Sequence, residues 1–164
     1  VLKINKEALS LIKEREGLRL NPYYCSGSVL TVGYGHAILK DDKIDGLIIT
    51  EDKNKILHAS GKISVETANN LFLKDVERFE KGVFQLLKSK TTENQFSAMV
   101  SFAFNIGLVN FKNSTLLNLH NQAKYLEASL EFPKWNKVTK KGIKKVEAGL
   151  VIRRAMEKNL YMKG

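Results

Sequence analysis

Apolar positions change period along the chain, and each change marks an element. Ala8, Leu9 and Ile12 recur at helical spacing after Asn5, a residue type that caps helix starts. Gly17 stands where such a helix would stop. Glu16 follows Leu9 by seven positions and Ile12 by four, so it falls at the helix end on the apolar stripe, away from Glu14. Residues 18–36 switch to strand chemistry. Tyr23 and Tyr24 precede a turn signal at Cys25-Ser26-Gly27-Ser28, and Val29-Leu30-Thr31-Val32 is β-branched and apolar. Gly33 and Gly35 weaken a strand unless a backbone or ligand must approach closely there. From 37 to 60 the pattern is fainter. Thr50 with Glu51 and Asp52 reads as a helix start, Gly61 as its stop and Lys62-Ile63 as a short edge strand.

Ser64 then opens a long helix to about Lys88, with Ala68, Leu71, Phe72, Val76, Phe79 and Val83 on its apolar face. Thr92-Glu93-Asn94-Gln95 is a capping box, and Phe96, Met99, Val100 and Ala103 follow at helical period until Gly107. Further helices are predicted near Thr115–Gln122, Lys124–Glu131 and Lys144–Leu160, with Pro133 as a breaker. The fold class predicted is α+β in two lobes: a small β-containing lobe over 16–63, a connecting helix over 64–88, and an all-α lobe over 89–164.

Composition narrows the setting. An apolar fraction of 43% and a charged fraction of 27% suit a folded globular chain and exclude disorder. The net charge of +10 points to anionic partners: nucleic acid, anionic lipid or the bacterial envelope. Lysines are scattered except for Lys137, Lys140, Lys141, Lys144 and Lys145, which argues against a nucleic-acid stripe. A single cysteine, Cys25, excludes an internal disulfide. No apolar run reaches the ~18 residues of a membrane span. Val1 to Arg15 has no signal-peptide core, so the chain is expected to be made in the cytoplasm without a signal peptide. The three histidines lack metal-ligand spacing; no metal and no cofactor are expected.

A carboxyl with apolar neighbours is held protonated to higher pH, which is what a glycosidase acid needs. A hairpin directly after Glu16 can bring Cys25 and Thr31 back toward it. The string Glu16-Gly17-Leu18-Arg19-Leu20, Tyr23, and Thr31-Val32-Gly33-Tyr34-Gly35-His36 resembles the signature of the phage-type lysozymes, the endolysin family of glycoside hydrolases. That family's triad is a Glu, eight residues, an Asp or occasionally a Cys, five residues and a Thr; Glu16, Cys25 and Thr31 match both gaps. The segments Gly61–Ser64 with Leu71-Phe72 and Asp75-Val76 resemble its T-even branch. Phe104-Asn105-Ile106-Gly107 and Ser114-Thr115-Leu116 resemble its central motif, and Trp135, Gly149-Leu150, Arg153-Arg154 and Glu157 its lambdoid branch.

The resemblance implies hydrolysis of the β-1,4 bond between N-acetylmuramic acid and N-acetylglucosamine in peptidoglycan. Glu16 would be the general acid, and Thr31 would help hold the attacking water. His36 would pair with Asp75, and Arg153 or Arg154 with Glu16. Sugar contacts would fall on Ala37, Phe104, Asn105, Ser114 and Ser129. It further implies a single lysozyme domain over 1–164 in which 1–15 packs with the C-terminal lobe, a monomer that acts on the wall after release, and no nucleic acid or stable membrane insertion. Cys25 departs from the commoner carboxylate, and three roles are open to it: base or water-orienting group, nucleophile, or impaired substitute. The rival activities are a lytic transglycosylase, which needs only one acid, and a non-catalytic basic wall-binding module.

Overall fold

The computed structural model describes residues 1–164 and divides into two compact units, Glu16–Glu77 and Val1–Arg15 with Arg78–Gly164. Helix α1 spans Lys6–Glu16, with the Asn5 side chain accepting from the Ala8 amide at 3.0 Å. Its buried positions are Ala8, Leu11 and Ile12; Leu9 is only half-buried.

In the smaller unit, β1 (Arg19–Tyr24), β2 (Leu30–Gly33) and β3 (His36–Ala37) form one antiparallel sheet in that order. Tyr23 pairs with Thr31, and Thr31 with Ala37. Leu30, Val32, Ile38, Ile44, Ile63 and Ala68 make the core of this unit. The segment expected to start a helix at Thr50 is instead a hairpin of β4 (Leu47–Glu51) and β5 (Leu57–Gly61). Leu47 and Ile49 alternate with exposed Ile48 and Thr50, the period of a strand. Asp52 is a turn residue rather than a helix-start acid: its carboxylate accepts from the Asn54 and Ile56 amides at 2.8 and 3.0 Å. Lys62-Ile63 is not a strand; the Ile63 amide bonds to Leu20 O at 2.9 Å and ties the segment back to β1.

His36 fixes the sheet to α2 (Val65–Leu86), whose start is capped by the Ser64 hydroxyl accepting from the Thr67 amide. Its Nδ1 lies 2.8 Å from Asp75 and its Nε2 3.3 Å from Asp42. Burial pushes the His36 pKa down, but the two carboxylates outweigh it and hold the pKa above the ordinary imidazole value.

In the larger unit, α3 (Glu93–Ile106) begins at the expected capping box on Thr92 and Gln95. The short α4 (Leu108–Lys112), α5 (Thr115–Asn121) and α6 (Tyr125–Ser129) and a 3₁₀ turn at Phe132–Lys134 follow. This part is not helical throughout. A hairpin of β6 (Lys137–Lys140) and β7 (Ile143–Val146) precedes α7 (Ala148–Met162). Ile143 and Val146 sit three apart, as on a helix, but Lys141 and Gly142 both take positive φ (50° and 75°), which closes a two-residue hairpin turn. The last helix therefore starts at Ala148, not Lys144.

Phe102 is fully buried at the centre of this unit, with the Phe132, Trp135 and Phe111 rings edge-on at 5.3, 5.6 and 6.3 Å. Beside it, Arg153, Arg154 and Glu157 on α7 are 2%, 1% and 0% exposed. Glu157 accepts from Arg153 Nε at 3.1 Å, from the Ser101 hydroxyl at 2.8 Å and from Arg154. Arg154 also donates to Trp135 O at 2.9 Å and to the Asn105 side chain.

Two predictions follow from these two clusters. Glu157→Ala removes the carboxylate shared by two buried guanidinium groups, and urea unfolding should read a loss of about 3–5 kcal/mol. His36 binds its proton more tightly folded than unfolded, so the stability it contributes is full below its unfolded pKa and disappears as pH rises through its folded one. His36→Asn should accordingly lower the melting temperature at about pH 5.5 more than at about pH 9.5.

Candidate active site

Glu16 is the last residue of α1, and Gly17, at φ 71°, turns the chain out of the helix toward β1. The Glu16 side chain is half-buried, and its carboxyl lies over the backbone of Gly35. A Cβ at Gly35 would stand 2.7 Å from Glu16 Oε2 and 3.2 Å from Cδ, and the φ of Gly35 is 76°. Gly35 thus has two reasons to lack a side chain, one conformational and one the approach of this carboxyl. Gly33, at φ 67°, has only the first: a Cβ there would meet Ala68 and Ile63 at an ordinary 3.6 Å.

The β1–β2 hairpin carries the other two candidates. The turn after β1 is closed by Cys25 N–H to Val29 O at 3.0 Å and Ser28 N–H to Cys25 O at 2.8 Å, with Ser28 at φ 58°. Cys25 is half-buried; Thr31 is buried, and its hydroxyl donates to Val29 O at 2.8 Å. Burial pushes the Cys25 thiol pKa up. Hydrogen bonds from the Val29 and Gly27 backbone and the Thr31 side chain outweigh it, so the pKa falls below the ordinary thiol value.

Tyr23 connects this pair to the carboxyl. It pairs with Thr31 across the sheet, and its pKa is raised by burial, then by the charge of Glu16, against a lowering by Arg19 and with a smaller raising by Cys25. The Arg19 guanidinium stacks on the Tyr23 ring at 4.3 Å. Sequence reasoning placed neither Arg19 nor Tyr23 in the site. The available signal was their alternation with the candidates, since Tyr23 is two residues from Cys25 on the same strand run.

The residues assigned to sugar contacts divide between the units. Ala37 is exposed and pairs with Thr31. In the larger unit Phe104 is half-buried with its ring 5.1 Å from Phe79, and Asn105 is exposed with its side-chain oxygen taken by Arg154. Ser114 is 5% exposed and caps α5, accepting from the Leu117 amide at 3.2 Å while donating to Phe111 O at 2.7 Å. Ser129 is a correction. It has no exposed surface and its hydroxyl donates to Leu126 O at 2.6 Å, which counts against a sugar contact there. No three His, Cys, Asp or Glu side chains are grouped to hold a metal ion, and no helix is long and apolar enough to cross a membrane.

Comparison with known proteins gives the arrangement a context. The family model described as phage lysozyme matches residues 13–157. The endolysin of Bacillus phage B103 is 38% identical over 99% of this chain and 55% of its own length. The chain thus spans about half the length of the Bacillus phage endolysins it matches. Among solved structures, the endolysin from Escherichia coli O157:H7 phage FAHEc1 superposes with a TM-score of 0.78 at 34% identity, covering 98% of this chain and 94% of that one. The muramidase domain of SpmX from Asticaccaulis excentricus gives 0.80 at 30% identity, covering 99% of both. A family match across most of the chain and relatives at this identity lead to one conclusion: the chain belongs to the phage lysozyme family.

Proposed function

We propose that this chain is a peptidoglycan hydrolase that cuts the β-1,4 bond between N-acetylmuramic acid and N-acetylglucosamine. The observation that carries this reading is the Glu16 carboxyl seated on Gly35, in the same unit as the β1–β2 hairpin that bears Cys25 and Thr31. Glu16 donates a proton to the leaving glycosidic oxygen. Cys25, with its pKa drawn down, accepts a proton from water or orients it, and Thr31 holds that water. A thiolate base needs no second carboxylate, which favours hydrolysis over the transglycosylase reaction. Ala37, Phe104, Asn105 and Ser114 are the side chains we assign to sugar contacts. The oxygen of Asn105 is committed to Arg154, so its amide N–H groups are the ones presented to a sugar.

The test is release of fragments from purified walls, followed by mass analysis. A hydrolase yields reducing ends one water heavier than the anhydro ends of a transglycosylase, and a binding module releases nothing. Glu16→Gln should lose about 10²–10⁴-fold in rate. Cys25→Ser, or wild type fully alkylated at Cys25, should fall nearly as far. Cys25→Asp should stay active, with the acid limb of its pH–rate profile moved to lower pH, because a carboxylate remains ionised further down than a thiol. A wild-type rate after complete alkylation would remove the thiol from the chemistry.

Gly35→Ala tests the seat of the carboxyl separately. The added methyl must displace Glu16, and activity should fall by at least about tenfold. The left-handed backbone adds a stability loss of only about 1–2 kcal/mol, so the variant should still melt cooperatively.

A further inference from the structure

The β6–β7 hairpin plays no part in the site above. Lys137, Lys140, Lys141, Lys144 and Lys145 are all exposed and make no ion pair, and no acidic residue occurs between Phe132 and Val146. Half of the net charge of +10 is thus concentrated, unneutralised, in one short projecting ribbon. The pairing register fixes how it is presented. Lys137 lies opposite Val146 and Thr139 opposite Lys144; Val138 lies opposite Lys145 and Lys140 opposite Ile143. Side chains alternate across a strand, so each face of the ribbon carries two lysines and one exposed aliphatic residue, Val146 (59%) or Ile143 (58%), and Lys141 occupies the tip. An element that lies on a lipid surface segregates its apolar side chains to one face, and this ribbon does not. Charge on both faces and at the tip suits a linear polyanion that can bend around the ribbon.

We propose that this hairpin docks a linear phosphodiester polymer covalently attached to the bacterial wall, and so holds the protein on the surface it hydrolyses. The proposal rests on the wall-hydrolase reading for the identity of the polymer, but its test does not depend on hydrolysis. Sedimentation with insoluble walls is measured in a Glu16→Gln background, before and after aqueous hydrogen fluoride strips the phosphodiester polymer. Wild-type hairpin should bind intact walls at least about tenfold more tightly than stripped walls. Replacing Lys137, Lys140, Lys144 and Lys145 by Gln leaves the Lys141-Gly142 turn intact and should abolish that difference. It should also flatten the slope of log affinity against log salt by up to about 3, as for contacts to single-stranded polyanions. A control replaces four exposed lysines elsewhere (Lys43, Lys53, Lys62 and Lys74) by Gln, matching the change in net charge, and should bind like wild type. Circular dichroism melts confirm that both variants fold.

Equal losses in the two variants would overturn the hairpin as the site. Unchanged binding to stripped walls would overturn the polymer as the partner. Retention on DNA or on anionic vesicles at physiological salt, with none on intact walls, would overturn it in favour of nucleic acid or lipid. Hydrolysis of stripped walls by chains with native Glu16 reads the enzymatic proposal alone, and the hairpin variant should match wild type there.

Discussion

A carboxyl packed against a bare stretch of backbone organises the smaller unit. Glu16 can lie on Gly35 only because α1 ends where it does and because residue 35 has no side chain. Both conditions are local, yet they constrain elements far apart in sequence. Gly17 must turn the chain sharply enough for β1 to begin at Arg19, and β2 must end so that Gly35 comes beneath the helix tip. The register Tyr23 to Thr31 then places the hydroxyl, the thiol and the phenol on the same short ribbon. Any slip by one residue would send Thr31 to the other face, because the side-chain period of a strand is two.

The ribbon itself is held from behind. His36 bridges Asp75 on α2 and Asp42 in the loop beyond β3, and Asp42 also accepts the Leu39 amide at 2.7 Å. The arrangement follows directly on Gly35 in sequence, so the residue under the carboxyl and the residue that anchors the sheet are neighbours. The larger unit solves a different problem. It buries two guanidinium groups around one carboxylate, and one of those guanidinium groups orients Asn105. A buried cluster of this kind adds little net stability compared with apolar packing, but it fixes geometry because each partner is costly to leave unmatched.

The parts of this fold legible in sequence were those set by neighbouring residues. Helix starts at Asn5, Ser64 and Thr92 could be read because a cap satisfies amides only three positions away. The Glu16–Gly17 boundary and the first hairpin were legible for the same reason. The two hairpins at Leu47–Gly61 and Lys137–Val146 were not. Each contains a spacing that helices also use, and pairing between strands decided the outcome. Thr50-Glu51-Asp52 has the composition of a helix start, but Asp52 spends its carboxylate on a turn. Ser129 shows the limit of motif transfer: a hydroxyl on a short helix gives no hint in sequence of being fully enclosed. Gly35 lies between these cases. The need for a close approach was readable, while the identity of the approaching group was not.

The reading of Cys25 as base that we propose requires a thiol, ordinarily neutral near pH 7, to ionise more readily than usual. The local backbone supplies the means. The turn that joins β1 to β2 is closed by backbone bonds on either side of Cys25, and the backbone of Val29 and Gly27, with Thr31 on the facing strand, draws the thiol pKa down. Each stabilises the thiolate more than the thiol, and together they exceed the effect of partial burial. The hairpin keeps the two groups in different settings: backbone groups of the turn surround the thiol, while the carboxyl rests on a glycine that offers it no side chain. Substituting an aspartate for Cys25 would place a group ionised without that help in the same setting, so the turn's contribution would be measurable as the difference between the two side chains.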